Sequence, residues 1–149
     1  KFALATNLLL ENDFSIQWQI KPHSLTNKHK LLSAMEFPLP NNCTWLDNDF
    51  HESLDEVDVL IGSASSTCME ALARGKYVII IGNPHGITHN PIPSSVPNEL
   101  WKVCYSPSEA AEALKRRTND FEQPSSTLLI RDAFFEPVTQ EGVLQMIDV

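Results

Sequence analysis

The sequence predicts an α/β fold, a three-layer α/β/α sandwich built on a parallel sheet of about five strands. Three observations carry this. Short apolar runs of strand length, "SIQWQI", "CTWL", "VDVLIG", "YVIII" and "LWKVCY", recur along the chain. Helix-forming segments stand between most of them, the arrangement that gives a parallel sheet covered on both faces. With 149 residues, 42% of them hydrophobic, the chain has the size of one domain that buries roughly two thirds of its unfolded surface. Right-handed crossovers leave few arrangements of five such strands, and the order 2-1-3-4-5 is the simplest.

Taken in order, "KFALATNLLLE" has helix-forming composition and stops near Asn12 and Asp13. "SIQWQI" then alternates as a half-buried strand does and ends at "KPHS". "LTNKHKLLSAM" predicts a helix starting near Thr26, closed off by Pro38 and Pro40, and "CTWL" is a short strand. "NDFHESLDE" is a short acidic helix leading into the strongly apolar "VDVLIG". A turn of small residues follows, then the helix "TCMEALARG" ending at Gly75, then the strand "YVIII". From Gly82 to Pro97 the chain holds four prolines and two glycines and predicts a long loop. "LWKVCY" is the fifth strand, "PSEAAEALKRRT" a helix with Pro107 in its first turn, and "TQEGVLQMI" a terminal helix.

Charge and cysteine usage exclude several function classes. A formal charge of -8 would repel a phosphate backbone, and no run of Lys or Arg on one face offsets it, which argues against nucleic acid as a partner. The three cysteines, Cys43, Cys68 and Cys104, contain no CxxC pair, so neither a zinc site nor a disulfide framework is indicated. No apolar run approaches the about 20 residues that span a bilayer, and no signal peptide is visible. The expectation is a cytoplasmic protein without a transmembrane segment, compatible with peripheral membrane association. The chain begins at Lys1 without an initiator methionine, as a piece excised from something longer would.

Ligands of parallel sheets sit outside the carboxyl ends of the strands. Those ends are His23 to Ser24, Leu46 to Asp47, Gly62 to Thr67 and Gly82 to Asn90. Gly62, Ser63, Ala64, Ser65 and Ser66 are all small, and small residues at a helix start let a phosphate approach its free N–H groups. Ser65, Ser66 and Thr67 can add hydroxyl donors, and Glu70, one turn inside, can accept from two adjacent sugar hydroxyls. A second reading stands beside this one, because Thr67-Cys68-Met69-Glu70 also matches a capping box. His23 is placed to meet a phosphate or a departing group, although a loop histidine is commonly just solvated. His85 and His89 lie in the long loop and line the same rim, and Trp45 borders a base pocket or belongs to the core.

Other motifs fall on inspection. Cys68 and Arg74 have the Cys-x5-Arg spacing of cysteine phosphatases, but "MEALA" between them is a strong helix former without glycine. No GxGxxG follows a strand, so a dinucleotide site is not indicated. A phosphorylation-receiver domain needs an acidic cluster at the end of its first strand, where this chain has "IKPHS".

The span Cys43 to Ile81, with "CTWL" and "EVDVLIGSASSTCMEALARGKYVIII", resembles the C-terminal, donor-binding half of glycosyltransferases of the GT-B superfamily. Tyr77 stands where that family commonly has proline. "IKPHS" looks like the "KPHP" segment of bacterial capsule, sialic-acid and teichoic-acid-type transferases, with Ser24 in place of the second proline. "RDAFFEPVTQEGVLQMI" looks like the C-terminus of such enzymes. The resemblance implies a single Rossmann-like nucleotide-sugar-binding domain over 1–149, a fragment of a two-domain protein. The donor is a UDP-, CMP- or similar nucleotide-sugar, with Ser65, Ser66 and Thr67 at the phosphates, Glu70 on the ribose and His23 near the phosphate or leaving group. It implies no metal and no further cofactor, and an acceptor domain and catalytic base that lie upstream of this chain. In the superfamily a first strand precedes the helix that Lys1 to Glu11 would form; either it was cut away with preceding sequence or the sheet closes up as 2-1-3-4-5 without it. Two alternatives remain open: a non-hydrolysing nucleotide-sugar epimerase-like domain, and a non-catalytic module that binds a nucleotide or partner through the same rim.

Overall fold

The computed structural model describes residues 2–10, 16–23, 25–33, 38–119 and 126–135. The elements in chain order are α1 (Phe2–Leu9), β1 (Trp18–Ile20), α2 (Lys28–Ser33), β2 (Cys43–Trp45), α3 (Phe50–Asp55), β3 (Val59–Gly62), α4 (Thr67–Ala73), β4 (Tyr77–Ile81), β5 (Trp101–Cys104), α5 (Pro107–Asn119) and α6 (Ser126–Phe134), with one 3-10 turn at Asn98–Leu100 before β5. Every expected strand forms within its apolar run. The expected terminal helix at 139–147 and residue Ser24 lie outside the described residues, while α6 was not foreseen.

The strands form two parallel sheets, a pair β1-β2 and a triplet β3-β4-β5. Trp18, Gln19 and Ile20 pair with Cys43, Thr44 and Trp45, Val59–Gly62 with Tyr77–Ile80, and Val78–Ile81 with Trp101–Cys104. These are three of the four neighbour pairs that the order 2-1-3-4-5 requires. The ladder between β1 and β3 that would join them into one five-stranded sheet is not formed among the described residues. β1 and β2 are three residues long, so β1 has few backbone groups to offer on a second edge. Side chains do meet across that gap: Ile16 and Trp18 pack on the same buried cluster as Val59 and Ile61 of β3.

The three-stranded sheet is covered on both faces, and strand alternation decides which residue faces which layer. Leu60, Val78, Ile80, Trp101 and Val103 meet one cluster, built with Leu54 of α3, Cys68, Ala71 and Leu72 of α4 and Ile130 of α6. Val59, Ile61, Ile79 and Cys104 meet the other, built with Ala110, Ala111, Ala113 and Leu114 of α5 and Leu10 after α1. A polar tie fixes α1 to the β1-β2 pair. The Trp18 indole N–H donates to Asn7 Oδ1 at 2.9 Å, and Asn42 Nδ2 donates to the same oxygen at 2.9 Å.

Local chemistry sets the element ends. α2 starts at Lys28 because Asn27, one residue past the expected Thr26, accepts the Lys30 N–H at 3.1 Å. α4 ends in a Schellman motif: Gly75 adopts φ 77, Lys76 N–H donates to Ala71 C=O at 2.9 Å and Gly75 N–H to Leu72 C=O at 3.0 Å. At α5, Ser106 Oγ accepts the Glu109 N–H at 3.3 Å while Glu109 Oε2 reaches back to the Tyr105 N–H at 2.9 Å. A capping arrangement of Ser and Glu therefore exists in this chain, at 106–109.

The loop Gly82 to Pro97 is tied from within. Asn83 N–H donates to Thr88 Oγ1, Asn83 Oδ1 accepts from His85 N–H, and Asn90 Oδ1 accepts from Ile92 N–H, each at 3.0 Å. Ile92 and Val96 are buried in the first cluster, and the Trp101 indole donates to Val96 C=O.

Candidate functional site

β3 ends at Gly62 on the carboxyl edge of the triplet, and the chain turns through Ser63, Ala64, Ser65 and Ser66 into α4. Gly62 allows the turn to close down. A Cβ there would stand 3.1 Å from the buried Cys68 Sγ, which itself reaches Ser63 C=O at 3.4 Å. Ser66 occupies the cap position in α-helical conformation, and its side chain makes no capping bond.

Ser65 has taken over the capping role. Its Oγ accepts the Thr67 N–H at 3.4 Å and the Thr67 Oγ1–H at 2.8 Å. A hydroxyl that accepts twice is polarised as a donor, and the Ser65 proton has no acceptor among the described residues. Met69 and Glu70 N–H turn back onto Ser66 C=O and Cys68 N–H onto Ser65 C=O. The hydroxyls of Ser65 and Ser66, more than the backbone, are thus the donors this turn offers outward.

Glu70 does not close a capping box with Thr67. Its Oε2 lies 3.3 Å from His51 Nδ1, with the carboxylate side chain 28% exposed and the imidazole 60% exposed. His51 owes its place to Asp49, which caps α3 by accepting the His51 N–H at 2.8 Å. Arg74 completes the junction, donating to His51 C=O at 3.1 Å and to Asp55 Oδ1 at 2.6 Å. A carboxylate held against one imidazole nitrogen orients the ring. His51 is the functional candidate that sequence reasoning missed. It stood inside a segment read only as an acidic helix, although its position just past the end of β2 puts it on the same rim.

The remaining candidates are dispersed. His23 is exposed, with its C=O accepting from Thr26 N–H and its Nδ1 from Leu25 N–H at 3.2 Å. Among the described residues no hydrogen bond or ion pair joins it to Ser65, Ser66, Thr67 or Glu70. Lys21 beside it donates to Asn48 C=O, which ties the segment after β1 to that after β2. His85 and His89 are exposed in the long loop, and Trp45 is half-buried at the end of β2.

Cys68 is the second residue of α4, wholly buried. Burial pushes its thiol above the usual range, with a backbone hydrogen bond from the Ser65 region working the other way, so it is not an activated nucleophile. Among the described residues no group of three or more His, Cys, Asp or Glu is placed to hold a metal ion. Comparison with protein-family models, with curated proteins and with solved structures finds no match to this chain.

Proposed function

We propose that this chain is the donor-nucleotide-binding half of a GT-B-type glycosyltransferase, which transfers a sugar from a nucleotide-sugar donor in surface-polysaccharide or glycoconjugate synthesis in the cytoplasm. The observation that supports the reading best is the Ser65 hydroxyl. It accepts two hydrogen bonds from Thr67 and has a proton left for an outside acceptor, at the carboxyl edge of a parallel sheet. Phosphate oxygens suit it, with the Ser66 hydroxyl beside it. α4 has only seven residues, so hydroxyl donors rather than a long helix dipole carry the anion.

In this reading Glu70 accepts from the ribose hydroxyls, His51 holds its carboxylate in place, and His23 approaches the phosphate or leaving group when a donor is bound. In this reading transfer needs no metal, because the hydroxyls and the start of α4 hydrogen-bond the phosphate oxygens in place of a carboxylate-bound cation. The acceptor site belongs to a further domain. The proposal extends to the fold: the pairs 2-1 and 3-4-5 are parts of one Rossmann-like sheet of order 2-1-3-4-5.

Calorimetric titration with UDP, CDP, GDP and CMP tests it. At least one is expected to bind, and Ser65→Ala is expected to weaken it roughly ten- to hundred-fold, the worth of a hydrogen bond to a charged group. No binding by any of the four at millimolar concentration contradicts the proposal.

A further inference from the structure

The opposite, amino edge of the triplet holds a second concavity. The first residue of β4, the second of β5 and the last turns of α5 border an open recess of about 190 Å³, lined by Tyr77, Glu99, Lys102, Ala113, Arg116 and Arg117. Among the described residues three cationic side chains and one carboxylate line it, in a chain whose net charge is -8. Basic residues in the last turn of a helix are stabilised by its dipole, which accounts for Arg116 and Arg117 on α5. It does not account for Lys102, which comes from a strand, or for a recess between the two elements.

The Arg117 guanidinium lies over the Tyr77 ring at 5.4 Å from its centroid, within the reach of a cation–π contact. Burial raises the Tyr77 phenol above its usual range, with the Cys104 sulfur adding to the rise and the charges of Arg117 and Arg116 opposing it. The phenol is therefore a neutral donor at physiological pH, beside two guanidinium groups.

We propose that this recess binds a phosphate group, held by Lys102 and Arg116 with the Tyr77 hydroxyl and the stacked Arg117 as its wall. Pockets for drug-sized ligands span about 300–1,000 Å³, so a recess of about 190 Å³ suits a group the size of phosphate or pyrophosphate. The site is separate from the β3–α4 turn and does not depend on what binds there. Two sources supply such a group, a free phosphorylated small molecule and an anionic lipid headgroup.

The test uses the full chain with inorganic pyrophosphate at low and at physiological salt, and sedimentation with phosphatidylglycerol and with phosphatidylcholine vesicles. Pyrophosphate is expected to bind more weakly as salt rises. Lys102→Gln and Arg116→Gln are expected each to weaken it at least tenfold. Arg116 is exposed, so Arg116→Gln folds and keeps the test decisive if Lys102→Gln does not. Vesicle binding specific to phosphatidylglycerol and lost in Arg116→Gln supports the site with a headgroup as its ligand; pyrophosphate binding without vesicle binding supports it with a free phosphate. Binding of neither, or binding unaffected by Arg116→Gln, overturns the proposal.

Discussion

Glu70 shows how one residue can satisfy a local rule on paper and follow a distant partner in the fold. Three residues after Thr67 it fits a capping box, yet its carboxylate meets His51, which lies 19 positions upstream. A capping box is a contact within one turn and is legible in sequence. The contact actually made depends on how α3 docks beside α4, which spacing does not reveal. For the same reason the small residues at the turn were legible while Ser65's double acceptance was not.

Gly62 fits closely under Cys68, where an added Cβ stands 3.1 Å from a sulfur that has no room to retreat. Gly62→Ala is expected to cost about 1–3 kcal/mol, as overpacking of a filled core does. Urea unfolding of the variant measures it, and a loss below about 0.5 kcal/mol would show that Cys68 yields after all. Glu70→Gln divides the two readings of that residue. It is expected to weaken nucleotide binding with little change in stability, since its partner His51 is 60% exposed.

At the scale of elements, strand positions were legible because each needs an apolar run, but their lengths were not. A strand extends only as far as a neighbour pairs with it, so "SIQWQI" yields three paired residues. α6 was missed because its only described core anchor is Ile130, which gains meaning once α6 packs against α4. The junction of α3 and α4 carries an ion pair, Arg74 to Asp55 at 2.6 Å, with the Asp55 side chain 67% exposed. Pairs this exposed contribute about 0.2–1 kcal/mol. Asp55→Ala is expected to shift stability by less than about 1 kcal/mol, with a larger change in thermal unfolding pointing to a junction more buried than it is.

Across the whole molecule, stability resides in the two clusters that flank β3-β4-β5. Leu72, 1% exposed within the α3–α4–α6 layer, is a direct probe: Leu72→Ala is expected to cost about 2–5 kcal/mol, and denaturant titration reads it. The same burial sets an alkaline limit. Cys68, Cys104 and Tyr77 all have their proton affinity raised chiefly by burial, so the fold favours their neutral forms. That stabilisation is complete below the unfolded values, about 8.5 for a thiol and about 10 for the phenol, and is lost as pH rises through the higher folded values. Melting temperature is expected to hold steady from neutral pH to about 8.5 and fall above it, and Cys68→Ala is expected to lessen the fall.

The covered parallel triplet was legible from alternating apolar runs and helices, whereas the separation into two sheets was not. It turns on whether three residues of β1 find a second neighbour, and no pattern in "SIQWQI" encodes that. The two proposed sites lie at opposite edges of the triplet, with hydroxyls at the carboxyl edge and cations at the amino edge. Mapping backbone amide shifts on titration with UDP and with CMP tests the central claim most directly. The prediction is that one nucleotide shifts Gly62 to Glu70 together with His51; no shifts at millimolar nucleotide, or shifts confined to Tyr77, Lys102 and Arg116, would contradict it.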